Sequence, residues 1–256
     1  MPAKKIATAV HKGGSGKTTS TVSLAAALAL EGKRVLVLDL DPQGNATQAL
    51  GFDVGEETST LRNAFGPQPM PLRSLIVPVQ GAERVSLVPN DIRMERDVQP
   101  LTVAARRHEL LAKALSPIEG DFDYIFMDCP PSLGLLTEWA LVAADFVLIP
   151  LRYGDAHALQ ALKGILEFIP YIRGDETFQQ WRILLTQLDR RKKTTNLHFS
   201  EALTKFQGHV LQTIIPQHES LNQSQFVQEN IFSFDASGKG ARAYQELAQE
   251  LHTYGL

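Results

Sequence analysis

Short runs of consecutive apolar residues alternate along the chain with segments whose apolar positions recur at helical spacing. The runs KIATAV (5–10), RVLVLDL (34–40), YIFMDC (124–129), FVLIPL (146–151), RILLT (182–186) and VLQTII (210–215) are rich in Val, Ile and Leu. Such runs suit strands buried on both faces, as in a parallel sheet covered by helices. The segments 17–30, 103–115, 133–143, 156–171, 194–206 and 238–251 carry helical patterns. The alternation predicts an α/β fold: a doubly wound, mostly parallel sheet with helices on both faces and right-handed crossovers. The stretch FGPQPMPLRSLIVPVQ (65–80) is proline-rich and reads as a connection plus an edge strand. No internal repeat, low-complexity segment or composition shift divides the chain, so 1–256 is expected to be a single domain.

Composition narrows the function classes. With 256 residues and 44% apolar content the chain is large enough for a sizeable core. A net charge of −3 gives no global sign of nucleic-acid binding, so any DNA contact must come from a local patch. The one cysteine, Cys129, excludes a disulfide framework and a four-cysteine metal site within one chain. The first residues, MPAKKIATAV, have no signal-peptide core. The most apolar long segment, 133–151, is broken by Glu138 and Asp145, so no transmembrane helix is expected. A cytoplasmic protein is the expectation.

The chemistry concentrates at strand ends. HKGGSGKTTS (11–20) lies between a strand and a helix and almost matches the phosphate-loop pattern, with His11 at the first glycine position and Lys12 beside it. Gly13, Gly14 and Gly16 permit backbone angles closed to other residues, so that their amides, with those around Ser15 and Thr19, form an anion nest. The helix N-terminus adds positive potential. Lys17 would reach the β- and γ-phosphates of ATP, and Thr18 would ligate Mg²⁺. DLDPQGNAT places Asp39 and Asp41 at the end of one strand, and MDCPPS places Asp128 at the end of another. In doubly wound sheets ligands sit at this edge, so loop, Asp41 and Asp128 are expected to converge on one Mg²⁺–triphosphate. Asp39 and Asp41 share strand parity and could face one side, or Asp39 could be a hydrogen-bonded structural acid.

KGGSGKTT, DLDPQGNAT and DCPPS together resemble the deviant Walker ATPases of the ParA/MinD superfamily. VLIPL with ALQALKGIL, LLTQLDRR, TIIP and FDASGKGARAYQELAQEL extend the resemblance over nearly the whole chain, towards the ParA (Soj-like) partition ATPases. The resemblance implies that Lys12 crosses a homodimer interface to the partner's nucleotide, that Asp41 positions the attacking water, and that Asp128 acts on Mg²⁺ through water. It implies slow hydrolysis stimulated by a ParB-like or adaptor protein, and it suggests Pro216 for the base. It also implies non-specific binding to nucleoid DNA. The segment 182–205 carries six Lys or Arg against two Asp or Glu, centred on Arg190, Arg191, Lys192 and Lys193.

Two stretches depart from the family pattern. Gln217 and Ser220 stand where partition ATPases commonly carry arginines, and Glu219 adds a negative charge; Lys239 and Arg242 are candidates to compensate. LRYGDAHALQAL (151–162) stands where the family has an acidic residue just before AL, so a partner-binding face could have diverged. An alternative reading is a relative that positions a protein cargo, a compartment or a cluster, by the same cycle. A MinD-type membrane ATPase would need a basic amphipathic C-terminal helix, whereas the polar face of AYQELAQELHTYGL carries Glu and Gln. A nitrogenase-iron-protein type reductase would need two cluster cysteines per subunit.

Overall fold

A computed structural model describes residues 2–256. In chain order the regular elements are β1 (Lys4–Thr8), α1 (Lys17–Leu30), β2 (Val35–Asp39), α2 (Asn45–Ala49), β3 (Val77–Pro78), β4 (Val85–Val88), α3 (Arg93–Asp97), α4 (Leu110–Leu115), β5 (Tyr124–Asp128), α5 (Leu135–Ala143), β6 (Phe146–Arg152), α6 (Ala156–Arg173), β7 (Trp181–Leu188), α7 (Lys193–Leu203), β8 (Val210–Pro216), α8 (Glu219–Phe226), α9 (Ile231–Phe234) and α10 (Lys239–His252). The strands form one eight-stranded sheet in the order β3-β4-β2-β5-β1-β6-β7-β8. Neighbours run parallel throughout, except β3 and β4, which are antiparallel at the margin.

The absence of polar alternation in the strands has a direct cause. Leu36, Leu38, Ile125, Met127, Val147 and Ile149 pack on one face with Trp139 of α5 and Leu162 and Ile165 of α6. Their strand neighbours Val35, Val37, Phe126, Phe146 and Leu148 pack on the other with Leu24 and Leu28 of α1 and Tyr244 and Leu247 of α10. Both faces are sealed, so both parities must be apolar. β2 to β5 fill the sheet on one side of β1, with β5 inserted between β2 and β1, and β6 to β8 then follow in order on the other side. The two halves meet at β1, which sits between β5 and β6. The crevice at its carboxyl end is where such sheets bind ligands.

Several boundaries differ from the sequence expectation. The helix expected over 103–115 shrinks to α4, because Arg106 takes a left-handed φ of 55° and the chain before it winds in 3-10 turns. The helix expected over 194–206 ends at Leu203 and continues as a 3-10 turn, Thr204–His209. The proline-rich stretch does supply an edge strand, the two-residue β3. The strand β4 and the short helices α2, α3, α8 and α9 have no counterpart in the apolar pattern of the sequence.

Candidate functional site

The phosphate loop runs from the end of β1 to the start of α1. Gly14 and Gly16 adopt φ of +67° and +90°, the left-handed region that a Cβ disfavours. Three loop carbonyls are held by side chains. Thr186 Oγ1 donates to the Ser15 carbonyl at 2.8 Å, Gln187 Nε2 to that of Gly14 at 2.8 Å, and Lys17 Nζ to that of Lys12 at 2.9 Å. With these carbonyls engaged, the loop amides and the N-terminus of α1 are what the loop presents to an anion. A cavity of about 310 Å³ opens there, lined by Gly13, Gly14, Ser15, Gly16, Lys17, Thr18, Thr19, Asp41 and Asn45. Burial pulls the Lys17 ammonium below its ordinary pKa, and the charges of Asp128 and Asp41 oppose that shift.

The three strand-end acids separate by environment. Asp128, at the end of β5, is fully buried. Its Oδ2 accepts from Thr18 Oγ1 at 2.7 Å and its Oδ1 from Thr21 Oγ1 at 3.1 Å. Burial pushes its pKa up, against the Thr18 hydroxyl and the Lys17 charge. Asp39 is also fully buried. Its Oδ2 accepts from the Thr47 amide at 2.8 Å and hydroxyl at 2.7 Å, and its Oδ1 from the Asp41 amide at 3.1 Å. Asp39 is therefore the structural acid that shapes the turn into α2, and burial, then the neighbouring Asp128, raise its pKa. Asp41 lies past the end of β2, so strand parity does not govern it. Its Oδ1 accepts from the Gln43 amide at 3.0 Å and its Oδ2 from Asn45 Nδ2 at 3.2 Å.

The donor set fits a hard divalent cation with a phosphate ligand. Thr18 and Asp41 share one cavity, and Asp128 stands behind Thr18. No group of three His, Cys, Asp or Glu positioned to cage a metal occurs among the described residues. Mg²⁺ characteristically takes one or two protein oxygens, substrate phosphates and waters, and needs no such cage.

Lys12 does not line this cavity. Its Nζ pairs with Asp155 Oδ2 at 2.7 Å, both side chains about one-fifth exposed at 22% and 20%. Asp155 also caps α6 by accepting from the His157 amide at 2.9 Å. The stretch read as altered thus supplies the acid that holds the extra lysine. The turn carrying it is packed closely: a Cβ on Gly154, whose φ is +71°, would stand 3.0 Å from Asn196 Oδ1 of α7. Proximity of an acid to AL in the sequence was the available signal, but a pair 143 positions apart has no local signature.

The basic segment joins β7 to α7. Arg191 grips Asp189 with two bonds of 2.9 Å, which holds that carboxyl below its ordinary range. Arg190, Lys192 and Lys193 form no ion pair among the described residues. Lys192 and Lys193 stand at the start of α7, whose first turn has no acid. Cations there oppose the helix dipole and add to its attraction for anions. A groove of about 910 Å³ is lined by Arg190, Arg191, Lys239 and Arg242, with Asp189, Glu246, Gln217 and Pro216. Lys239 and Arg242, the candidates to compensate for the arginines missing at 217 and 220, therefore share a groove with the basic segment and with Gln217. Ser220, in place of an arginine, is buried, and its Oγ lies 2.7 Å from His218 Nδ1. Pro216 also lines a smaller cavity with Gly16, Thr19, Gln187 and Tyr244, next to the phosphate loop.

At the C-terminus, Ala241, Tyr244, Leu247, Ala248 and Leu251 are buried, so the apolar face of α10 is spent on the core. No helix among the described residues is long and apolar enough to cross a membrane. Cys129 is a buried thiol with its pKa raised by burial.

Residues 3–183 match a family model described as an AAA domain. The chain is 34% identical over 254 residues to the sporulation initiation inhibitor protein Soj of Bacillus subtilis, covering 98% of this chain and 99% of that one. It is 35% identical over 243 residues to the chromosome partitioning protein ParA of Myxococcus xanthus, covering 94% and 85%. Among solved structures, cobyrinic acid a,c-diamide synthase from Mycobacterium smegmatis, with bound ADP and magnesium, aligns with a TM-score of 0.80 at 30% identity, covering 98% of this chain and 95% of that one. Full-length similarity to Soj and ParA, together with the loop that carries Lys12 and the acids at 41 and 128, shows that the chain belongs to the ParA/MinD superfamily of deviant Walker partition ATPases.

Proposed function

We propose that the chain acts as a single ATPase domain, 1–256, that binds Mg²⁺–ATP, closes into a homodimer around two nucleotides, and in that state holds nucleoid DNA without sequence preference. The observation that carries this reading is the place of Lys12. It stands outside its own phosphate cavity, on the loop's flank, held by Asp155. A cation so placed is available to a second nucleotide brought in by a partner subunit. Two triphosphates packed face to face concentrate negative charge where water is scarce, and each needs added positive charge. A cation supplied in trans to phosphoryl transfer raises the rate by about 10³–10⁵-fold.

Thr18 and Asp41, with Asp128 behind Thr18, would hold Mg²⁺, which would supply positive charge to the phosphates. The chain's own residues divide the remaining work. The loop amides and Lys17 bind the phosphates. Thr18, steadied by Asp128, offers a hydroxyl to the cation. Asp41, fixed by the Gln43 amide and Asn45, orients the attacking water. Asp41 lies in a polar setting and no histidine lines the cavity, which supports slow intrinsic turnover and stimulation by a ParB-like or adaptor partner. The groove of Arg190, Arg191, Lys239 and Arg242, with Lys192 and Lys193 beside it, supports contact with DNA phosphates. A cytoplasmic, nucleoid-associated location follows, with the cargo recruited through the partner.

The test is fluorescence anisotropy with duplexes of unrelated sequence. Tight, salt-sensitive binding with ATP and weak binding with ADP is the expected result. Equal binding in both nucleotide states would overturn the proposed cycle.

A further inference from the structure

We propose that Gln187 is a positioning residue for the phosphate loop, acting through the Gly14 carbonyl to set the affinity of the site for nucleotide. The inference rests on reading the loop as a nucleotide site and assigns a determinant of that site outside the loop motif.

The starting point is a backbone anomaly. Gln187 takes a φ of 55°, one of three non-glycine residues with positive φ among the described residues. It lies inside β7, where strand geometry should hold φ near −120°. Left-handed backbone is disfavoured for a residue with a Cβ and persists where surrounding structure imposes it. Here the pairing of β7 with β8 also loses register between Leu185 and Leu188. A bulge of this kind bends a strand and re-aims a side chain.

The consequence is visible in where two successive side chains go. In a regular strand Thr186 and Gln187 would point to opposite faces. Instead both reach the phosphate loop: Thr186 Oγ1 donates to the Ser15 carbonyl at 2.8 Å and Gln187 Nε2 to the Gly14 carbonyl at 2.8 Å. The bulge brings a second donor to the loop. Gly14 is itself left-handed, with φ +67°. A donor fixed on its carbonyl holds that peptide plane, whose other edge carries the Ser15 amide pointing the opposite way, and Ser15 lines the cavity. Glycine would adopt the backbone at 187 with ease. Glutamine gives up that ease and supplies the donor.

The trade makes a prediction that a purely structural role does not. Gln187→Gly removes the backbone strain and the donor together; Gln187→Met keeps the length and removes the donor alone. The probe is a fluorescent ADP with Mg²⁺, titrated into the unaltered protein and each variant, with nucleotide-free melting temperatures measured alongside. Both variants are expected to bind roughly 3- to 10-fold more weakly, the effect of one net hydrogen bond. Gln187→Gly is expected to melt at or above the temperature of the unaltered protein. Affinity and stability then move in opposite directions. Unaltered affinity in both variants would overturn the proposal, as would a Gln187→Gly variant that loses affinity and melts lower in step. No binding by the unaltered protein would overturn the reading of the loop itself, and this inference with it.

Discussion

Thr21→Val probes the buried support of the site with little collateral change. Thr21 lies in the second turn of α1, fully buried, and its Oγ1 donates to Asp128 Oδ1 at 3.1 Å. Valine keeps the β-branch, the volume and nearly the same helix propensity. The main loss is one donor to a buried carboxylate, whose other oxygen keeps Thr18 at 2.7 Å. A hydrogen bond to a charged group contributes about 1.5–3 kcal/mol, and 3.1 Å lies at the long end, so a loss of about 2 kcal/mol is expected at pH 8. The pH dependence follows from the Asp128 carboxyl, which burial pushes up to about 6. A folded-state pKa above the unfolded value contributes stability at low pH that is lost as pH rises through the folded pKa. The Thr21 hydroxyl favours the ionised form, so its removal raises that pKa further and costs most where the carboxylate is charged. At pH 5 the carboxyl is mostly protonated and the loss shrinks to that of a neutral hydrogen bond, about 1 kcal/mol. Urea unfolding in EDTA at the two pH values, with unchanged m-value, measures both. Equal losses at pH 5 and pH 8, or a loss below about 0.5 kcal/mol at pH 8, would refute the reasoning.

Three further expectations bear on other parts of the molecule. Asp155→Asn keeps a side chain able to cap α6 but removes the charge holding Lys12, and should strengthen ATP-dependent assembly about fivefold, the equivalent of a modest ion pair; weaker assembly in sedimentation velocity would count against release of Lys12 as a step. Replacing Arg190, Arg191, Lys192 and Lys193 with glutamate should lower the slope of log K against log salt for duplex DNA by up to about 4, since each lost phosphate contact removes about 0.9; an unchanged slope would move the DNA face elsewhere. His252 sits 2.7 Å from Glu31, which raises its pKa and ties α10 to the end of α1. That contribution is full below the unfolded pKa of about 6.5 and fades as pH rises through the raised folded value, so His252→Gln should lower the melting temperature more at pH 6 than at pH 8.5. Equal losses would remove the ion pair from the account.

What was legible in the sequence follows from which interactions are local. The apolar runs of β2, β5 and β6 declared themselves because both faces of the central sheet are covered, whereas VLQTII, on the terminal strand β8, carries an exposed Gln212 and was legible from its remaining Val, Leu and Ile. The phosphate loop was legible because its chemistry is backbone chemistry, and Gly14 and Gly16 record it directly, whereas Gly13, expected to need the same freedom, has no positive φ. β4 has no such signal: VSLV is four residues long with a serine inside, and its pairing with β2 and β3 makes it a strand. The helix at 103–115 was overread because its spacing said nothing of the left-handed Arg106. Asp39 stayed ambiguous because its structural role depends on Thr47, across the turn into α2. The Lys12–Asp155 pair and the bonds from Thr186 and Gln187 join strand ends far apart in the chain, and no local pattern records them.

The central claim is that ATP closes two copies of the chain, each lending Lys12 to the other's nucleotide. Light scattering of the eluting protein, with saturating Mg²⁺ and a non-hydrolysable ATP analogue, tests it most directly. The account predicts that the 28.2 kDa chain doubles in mass with the analogue and not with ADP, and that Lys12→Ala binds the analogue yet stays at the mass of one chain. An unaltered protein that remains at one chain's mass when loaded, or a Lys12→Ala variant that doubles as readily, would contradict it.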